Sequence, residues 1–498
     1  MPKRITAYTL ALPPRDSETP AYLWLCAALR AEILEGRLGP GARLPATRDL
    51  AAEYGLSRGT IVAGYAQLEA EGYVRGSTGS GTYVSDTIPD DLLRVRGGGR
   101  GARSVGEDAA APRRARHRLS AAGRRVEPFP DAGPRATRAF RANEPALDLF
   151  PAALWAQVAG RRLRRVSTEL LRGCPAEGYP PLREAVADYL RAARGVRCTA
   201  EQVLILSGVQ EALDLTSRLF LDGASRACVE DPGYWGAALA FSSVGARIST
   251  VRVDDEGMMV PPRRLSAARV VYLTPAHQFP LGMTMSLPRR LALLDWAHAS
   301  DAVIFEDDYD SEYRYRGHPI PALQGLDERG LVLFAGSFSK VLFPSLRLGY
   351  LVVPPDLVER FAAAVSIGTR HAPLMEQAIL CDFIVEGHFG RHLRRMREVY
   401  AGRLGALLEG AHRELAGLLE IIGVEAGLQV AGWLADGFDD AAVARAAARR
   451  RVEVVPLSAY SRRRMRRQGL QLGFAAVDEG EIGRGITELA RTLEAIRR

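Results

Sequence analysis

Apolar residues recur at three-to-four spacing from about Tyr22 to Leu34, which predicts an amphipathic helix. Pro40-Gly41 and Leu44-Pro45 then mark turns. A second helical stretch is expected from Thr47, a residue suited to an N-cap, to Tyr54, with Gly55 ending it; Ser57 would cap a third from Arg58 to Ala70. Gly72 breaks that helix, and Tyr73-Val74 and Thr82–Val84 flank a glycine-rich stretch from Gly76 to Gly81, so two short strands are expected around a tight tip. The pattern is helix, helix, tight turn, helix and β-wing, an α+β winged helix-turn-helix.

From residue 86 to about 140 the periodicity vanishes and Arg, Gly, Ala and Pro dominate, the composition of a solvated, mobile linker. Beyond it short apolar runs alternate with helical patterns: Val203–Leu206, Ala227–Glu230, Arg247–Val253, Val270–Leu273, Ala302–Phe305, Val332–Phe334 and Gly349–Val352. Such alternation over some two hundred residues predicts an α/β domain with a mostly parallel sheet. The expected organisation is a winged helix-turn-helix domain at 1–85, a linker at 86–140 and an α/β domain at 141–498 that ends in a small α+β subdomain.

The chain has 498 residues, 47% of them apolar, more than one ordinary core holds. No run is long and apolar enough to span a membrane, and the N-terminus shows no hydrophobic signal core, so a cytoplasmic protein with no membrane partner is expected. Five scattered cysteines (Cys26, Cys174, Cys198, Cys228, Cys381) include no CxxC pair, which argues against a disulfide framework and a zinc site; no metal is expected. The formal charge of +8 favours an acidic partner such as nucleic acid. Its excess sits in the connector: residues 86–141 hold 13 Arg against 7 acids, whereas residues 1–85 hold 9 basic residues against 8 acids.

Of 66 basic residues only Lys3 and Lys340 are lysine. A chain that otherwise uses arginine has at Lys340 either an accident or a position where a guanidinium cannot serve. Schiff-base chemistry is such a position, because an amine can lose its proton and attack an aldehyde.

A helix-turn-helix places the N-terminal end of its second helix against base edges. That end carries Ser57, Arg58 and Thr60, with Arg48 at the start of the preceding helix as a further candidate. Arg58 could read guanine bidentately, and the hydroxyls suit phosphates or base edges. Winged helix-turn-helix geometry also occurs in protein-interaction modules. The stretches Arg43-Leu44-Pro45-Ala46-Thr47-Arg48, Leu56–Thr60, Leu68–Tyr73 and Gly79–Val84, however, resemble the GntR-type DNA-binding domain throughout. The resemblance implies DNA contacts by Arg43, Arg48, Ser57 and Arg58 and by the wing tip at Thr78 and Gly79, and Thr47 and Thr60, at the starts of the two helices, join them as DNA-binding candidates. Val62 stands where some members carry a further arginine.

A pyridoxal 5'-phosphate site needs an amine for the aldehyde, a carboxylate for the pyridine nitrogen, a polar group at the phenolic oxygen and a phosphate cradle. Lys340 follows Gly336-Ser337-Phe338-Ser339 at the end of a predicted strand, so Ser337 and Ser339 would meet the phosphate, with Arg347 as a charged clamp. Asp307 and Tyr309 alternate on an extended segment, Asp307 toward the pyridinium and Tyr309 toward the phenolic oxygen. Gly208, Val209 and Gln210 open a helix and add N–H donors, and Tyr234 could stack on the ring. Taken singly, Asp307 could lie in a solvated acidic turn, Arg347 could be a surface charge and Gly208 an ordinary helix-start glycine. Together, at strand ends of an α/β sheet, they reinforce one another.

Thr274–Pro280, Glu306–Tyr315, Gly336–Tyr350 and Gly387–His392 resemble the MocR-type regulators, a branch of the GntR family with a fold-type I aminotransferase domain. The resemblance implies bound pyridoxal phosphate, a double-stranded operator read as paired half-sites, and a homodimer that exchanges domains between subunits. Three functions remain open: a regulator sensing pyridoxal phosphate or an amine or amino-acid effector, an aminotransferase with a DNA-binding appendage, and a DNA binder whose second domain only dimerises. Where an arginine commonly holds the substrate carboxylate in this fold, the chain has Gln471, which weakens the enzyme reading and equally an α-amino-acid effector held in the usual way. Arg370 or the Arg462–Arg467 cluster could substitute.

Overall fold

A computed structural model of the chain describes residues 12–14, 19–77, 81–86, 118–130, 136–260, 267–315, 321–422 and 425–497. Contacts divide it into two compact units, residues 1–115 and 116–498.

The first unit consists of α1 (Ala21–Leu34), α2 (Thr47–Tyr54), α3 (Arg58–Ala70) and the antiparallel hairpin β1 (Val74–Ser77) and β2 (Gly81–Val84). Leu25, Leu29 and Ile33 from α1, Leu50 from α2 and Ile61, Tyr65 and Leu68 from α3 share one core with Val74 and Val84. Their helical spacing puts them on one face of each helix. Ser57 caps α3, its Oγ accepting the Thr60 N–H at 3.1 Å. Thr47 differs from expectation: it is the first residue of α2, and Ala46 holds the cap position without a side-chain bond. The Leu44 N–H donates to the Thr82 carbonyl in the wing, which keeps the incoming chain extended and starts the helix one residue early. Gly55 ends α2 at φ +65, a conformation in which a Cβ would be strained. Thr78 and Gly79 lie outside the described residues.

The second unit is built on an eight-stranded sheet. In chain order its strands are β3 (Val203–Leu206), β4 (Arg226–Asp231), β5 (Arg247–Asp254), β6 (Gly257–Met258), β7 (Ala268–Leu273), β8 (Val303–Asp308), β9 (Val332–Ser337) and β10 (Gly349–Val352), and across the sheet they run β3-β10-β9-β8-β7-β4-β5-β6. The pairs among β9, β8, β7, β4 and β5 are parallel, β10 runs antiparallel to both β3 and β9, and β6 is antiparallel to β5. Only residues 338–348 separate β9 from β10, too few for the crossover that a parallel pair needs, so β10 turns back. A consequence follows from two antiparallel pairings in succession: β3 ends on the same side as β9, β8, β7 and β4. A second sheet, ordered β11-β12-β14-β13, is antiparallel and comprises β11 (Leu419–Ile421), β12 (Gln429–Leu434), β13 (Val455–Pro456) and β14 (Gly469–Gly473).

Within the stretch expected to be a linker, residues 118–130 are described, and they belong to the second unit and pack against the rest of it. Arg125 Nε donates to the Ser243 carbonyl at 3.3 Å, and the Phe129 and Tyr234 rings lie 6.2 Å apart. Residues 87–117 and 131–135 lie outside the described residues, and with them most of the expected linker. Residues 136–150 then pass over the second unit as a strap. Phe140 bridges to Gly473, whose N–H donates to the Phe140 carbonyl at 2.9 Å, and a Cβ on Gly473 would stand 1.9 Å from the Arg141 carbonyl oxygen. Backbone cannot yield at that distance as a flexible side chain would. Gly473→Ala is therefore expected to destabilise the second unit by about 1–3 kcal/mol, read as a lower thermal unfolding midpoint, because the added methyl overpacks the strap.

Candidate functional site

The ends of β3, β7, β8 and β9 converge on one edge of the large sheet, where ligands of open α/β sheets bind. Strand β8 runs on through Asp308, beyond the expected end at Phe305, and its three acidic residues are buried instead of forming a solvated turn: Glu306 is 0%, Asp307 5% and Asp308 4% exposed. Alternation separates them. Glu306 accepts the Leu323 and Gln324 N–H groups at 2.8 Å each, and Asp308 pairs with Arg194 at 2.8 Å. Asp307 accepts only the Tyr272 hydroxyl, at 2.7 Å on Oδ2, and its Oδ1 has no partner among the described residues. Burial pushes the Asp307 carboxyl up to about 7, with further upward contributions from Asp308 and Asp310, and pushes Glu306 up to about 7 as well.

Lys340 emerges from a single helical turn, Phe338–Val341, directly after β9. Its Nζ donates to the Asn143 carbonyl at 2.9 Å, so the strap reaches the lysine across the interval of 197 residues. Burial lowers the Lys340 pKa, which raises the fraction of free amine at neutral pH, while Asp310 and Asp307 pull the other way. Asn143 adopts φ +63, a left-handed conformation that asparagine tolerates better than most residues.

The remaining predicted residues fall on the same edge. Tyr309 follows β8, its hydroxyl 3.0 Å from His277 Nδ1 and 3.4 Å from Gln429 Nε2, and burial raises its pKa well above the ordinary tyrosine value. Asp310 holds His277 Nδ1 at 2.9 and 3.1 Å. Ser337 ends β9, and the Ser339 Oγ is buried without a partner among the described residues. Arg347 is exposed in a left-handed conformation, φ +50, shortly before β10. Gly208 opens the helix Val209–Phe220 at φ +139, and a Cβ there would meet nothing within 4 Å, so open space lies over the helix N-terminus. Gln210 donates to the Gly236 carbonyl at 3.0 Å and accepts the Tyr234 hydroxyl at 3.2 Å, and Tyr234 leans on Tyr272 with ring centroids 6.1 Å apart. Tyr272, Asn143, Gln429 and Asp310 are the residues of this site that the sequence analysis missed. No local signal marked them, because their places in the site come from contacts made across the fold.

These groups fit pyridoxal phosphate. An uncompensated buried carboxylate suits a pyridinium, a buried free hydroxyl and an open helix N-terminus suit a phosphate, and a desolvated amine suits an aldehyde. Among the described residues no cluster suited to a metal ion occurs, and no helix is long and apolar enough to cross a membrane.

In the first unit Arg43, Arg48, Ser57 and Arg58 are exposed, and Thr47 and Thr60 half-exposed. Arg48 and Arg58 have no carboxylate partner among the described residues, whereas the Arg43 guanidinium lies against Gly81 at the base of the wing. The Ser57 and Thr60 hydroxyls are 2.8 Å apart, tied together by the cap.

An Asp307 carboxyl with a folded-state pKa near 7 and an ordinary value near 4 contributes stability that is complete below pH 4 and lost as the pH rises through 7. In cofactor-free protein, Asp307→Asn should therefore raise the unfolding free energy at pH 8 by on the order of 2 kcal/mol, read as a higher unfolding midpoint, and leave it nearly unchanged at pH 4. Parallel pH profiles for the two proteins would contradict the buried-carboxylate account.

Comparison with known proteins agrees with this geometry. The profile of the bacterial regulatory proteins of the gntR family matches residues 22–84, and that of aminotransferase class I and II matches residues 139–488. The chain is 39% identical to the probable rhizopine catabolism regulatory protein MocR of Rhizobium meliloti over 97% of this chain and 95% of that protein. It is 31% identical to the HTH-type pyridoxine biosynthesis transcriptional regulator PdxR of Corynebacterium glutamicum over 76% of each. Among solved structures it resembles LysN, the α-aminoadipate aminotransferase of Thermus thermophilus complexed with N-(5'-phosphopyridoxyl)-L-leucine, with a TM-score of 0.66 and 32% identity over 72% of this chain and 92% of that one. A winged helix-turn-helix joined to an aminotransferase-fold unit, with these matches over nearly the whole chain, places it in the MocR-type transcriptional regulators of the GntR family.

Proposed function

We propose that the second unit of this regulator binds pyridoxal phosphate and that the cofactor, or an amine that meets it there, controls DNA binding by the first. The observation that carries this reading is the pair of buried atoms without a partner among the described residues, Asp307 Oδ1 and Ser339 Oγ, on the sheet edge from which Lys340 emerges. Native proteins rarely bury polar atoms unpaired, and each costs about 1–3 kcal/mol. When bound, pyridoxal phosphate supplies an aldehyde that condenses with a primary amine. Lys340 presents that amine, held by the Asn143 carbonyl, and burial lowers its pKa. Asp307 offers Oδ1 to the pyridine nitrogen, while Tyr272 fixes the other carboxylate oxygen. Tyr309, steadied by His277 and Gln429, would meet the phenolic oxygen. Ser337, Ser339, Arg347 and the N–H groups of Gly208, Val209 and Gln210 would hold the phosphate, and Tyr234 would cover the ring.

The Phe129–Tyr234 contact gives the site a route to the DNA-binding unit, since residues 118–130 continue from the linker and rest on the ring that would cover the cofactor. Occupancy that moves Tyr234 moves this anchor, and a ligand shifts an equilibrium only by such a difference between states. The protein acts as a homodimer that exchanges domains, and the exposed Leu163, Leu171, Ile367 and Val385 of the second unit suit a subunit interface. In the dimer two first units read paired half-sites through Arg43, Thr47, Arg48, Ser57, Arg58, Thr60 and the wing tip at Thr78 and Gly79. The domain limits that go with this reading are 1–85, 86–140 and 141–498.

Two experiments test these claims. On a DNA fragment selected by the wild-type protein, Arg58→Ala should weaken binding by about 1–3 kcal/mol and relax sequence preference, and undiminished affinity would remove α3 as the recognition helix. Phe129→Ala should leave cofactor absorbance intact yet shrink the cofactor-dependent change in DNA affinity, whereas an unaltered change would exclude the linker anchor.

A further inference from the structure

The small sheet turns one face toward the lysine, and that face is built from uncharged amides. In the antiparallel pairing of β12 with β14, Gln429 lies opposite Gly473 and Ala431 opposite Gln471. Opposed residues share a face and so do alternate ones, which places Gln429, Ala431 and Gln471 together. Gln429 shows where the face points: its Nε2 is 3.4 Å from the Tyr309 hydroxyl, and its Oε1 accepts the N–H of Asn143, the residue whose carbonyl holds Lys340. Gln471 is fully buried. Its Oε1 accepts the Tyr460 hydroxyl at 2.7 Å, while its Nε2 has no partner among the described residues.

Aromatic rings frame this amide. Tyr460 stacks on Trp235 at 4.8 Å and meets Phe279 edge-on at 4.9 Å, and Phe279 in turn meets Tyr309 at 5.9 Å. A buried N–H donor in such a wall is complementary to a hydroxyl, ether or carbonyl oxygen, and an anion beside it would lack a counter-charge. Arg141, whose charge is felt at Lys340, is engaged by Glu144 at 2.5 Å and Glu453 at 3.3 Å.

We propose that Gln471 is a specificity-determining residue, selecting an amine whose far end is a neutral hydrogen-bond acceptor and disfavouring one that ends in a carboxylate. This rests on the reading that pyridoxal phosphate and an amine meet at Lys340. It narrows the effector from amines in general to amino alcohols, amino ethers and amino amides.

The test uses full-length protein loaded with pyridoxal phosphate and titrated with L-alaninol and L-alanine, read by cofactor absorbance and by calorimetry. Wild type should bind L-alaninol at least about tenfold more tightly than L-alanine, and Gln471→Arg should invert that order. Because an arginine could fail to pack at a fully buried position, Gln471→Glu serves as a second variant. It keeps the acceptor for Tyr460 and should bind 1,2-diaminopropane more tightly than wild type while losing L-alanine further. Tighter L-alanine binding by wild type, no heat from L-alaninol at millimolar concentration, or an unchanged order of preference in both folded variants would overturn the assignment. A wild type without a visible cofactor band would instead refute the cofactor reading, and the calorimetric order of the two probes would still decide the role of Gln471.

Discussion

Three consecutive carboxylates buried on one strand are costly, and the way β8 bears them organises the second unit. Glu306 is satisfied by two backbone N–H groups, and Asp308 is ion-paired through Oδ2 with the guanidinium of Arg194 while its Oδ1 has no partner among the described residues; alternation puts both on the face opposite Asp307. Asp307, between them, receives one tyrosine hydroxyl and nothing more among the described residues. An ionised carboxylate so placed is unfavourable until a cation arrives. The fold thus spends stability at one residue while securing its neighbours, a pattern expected where binding and not packing sets the residue.

The other elements can be understood as holding a lysine opposite that carboxylate. Two antiparallel pairings bring β3 and the helix after it to the same edge as β8 and β9, so an open helix N-terminus, a serine turn and the acid converge. The strap at 136–150 closes over the lysine and is pinned by Gly473, whose missing side chain lets the Arg141 carbonyl approach. From the strap, Gln429 continues the network to Tyr309, so cofactor-facing groups, strap and small sheet are mechanically joined. Ligand-dependent movement of the small sheet would therefore be felt at Lys340.

Much of this was legible in the sequence. Apolar runs located seven strands of the large sheet to within about three residues at either end, because strand periodicity and helix spacing differ over such lengths. Ser57 was readable as a cap, and one lysine among sixty-four arginines drew attention to position 340. The expected strand end at Phe305 fell three residues short of β8, because the partners that let its acidic residues be buried, Arg194 and the 323–324 amides, lie far away in sequence. Asn143, Gln429 and Tyr272 were not legible for the same reason: each is an ordinary residue type whose role arises only from a contact made across the fold. Gln471 was noticed as a departure from a resemblance, but its unpartnered amide and aromatic surroundings exist only once β12 and β14 are paired.

The central claim is that Lys340 and Asp307 form a working cofactor site. The most direct measurement is the visible absorption spectrum of the protein with pyridoxal phosphate added, before and after borohydride, beside that of Lys340→Ala. The account predicts a wild-type band that borohydride bleaches and that the variant lacks. No band in wild type, or the same bleachable band in the variant, would contradict it.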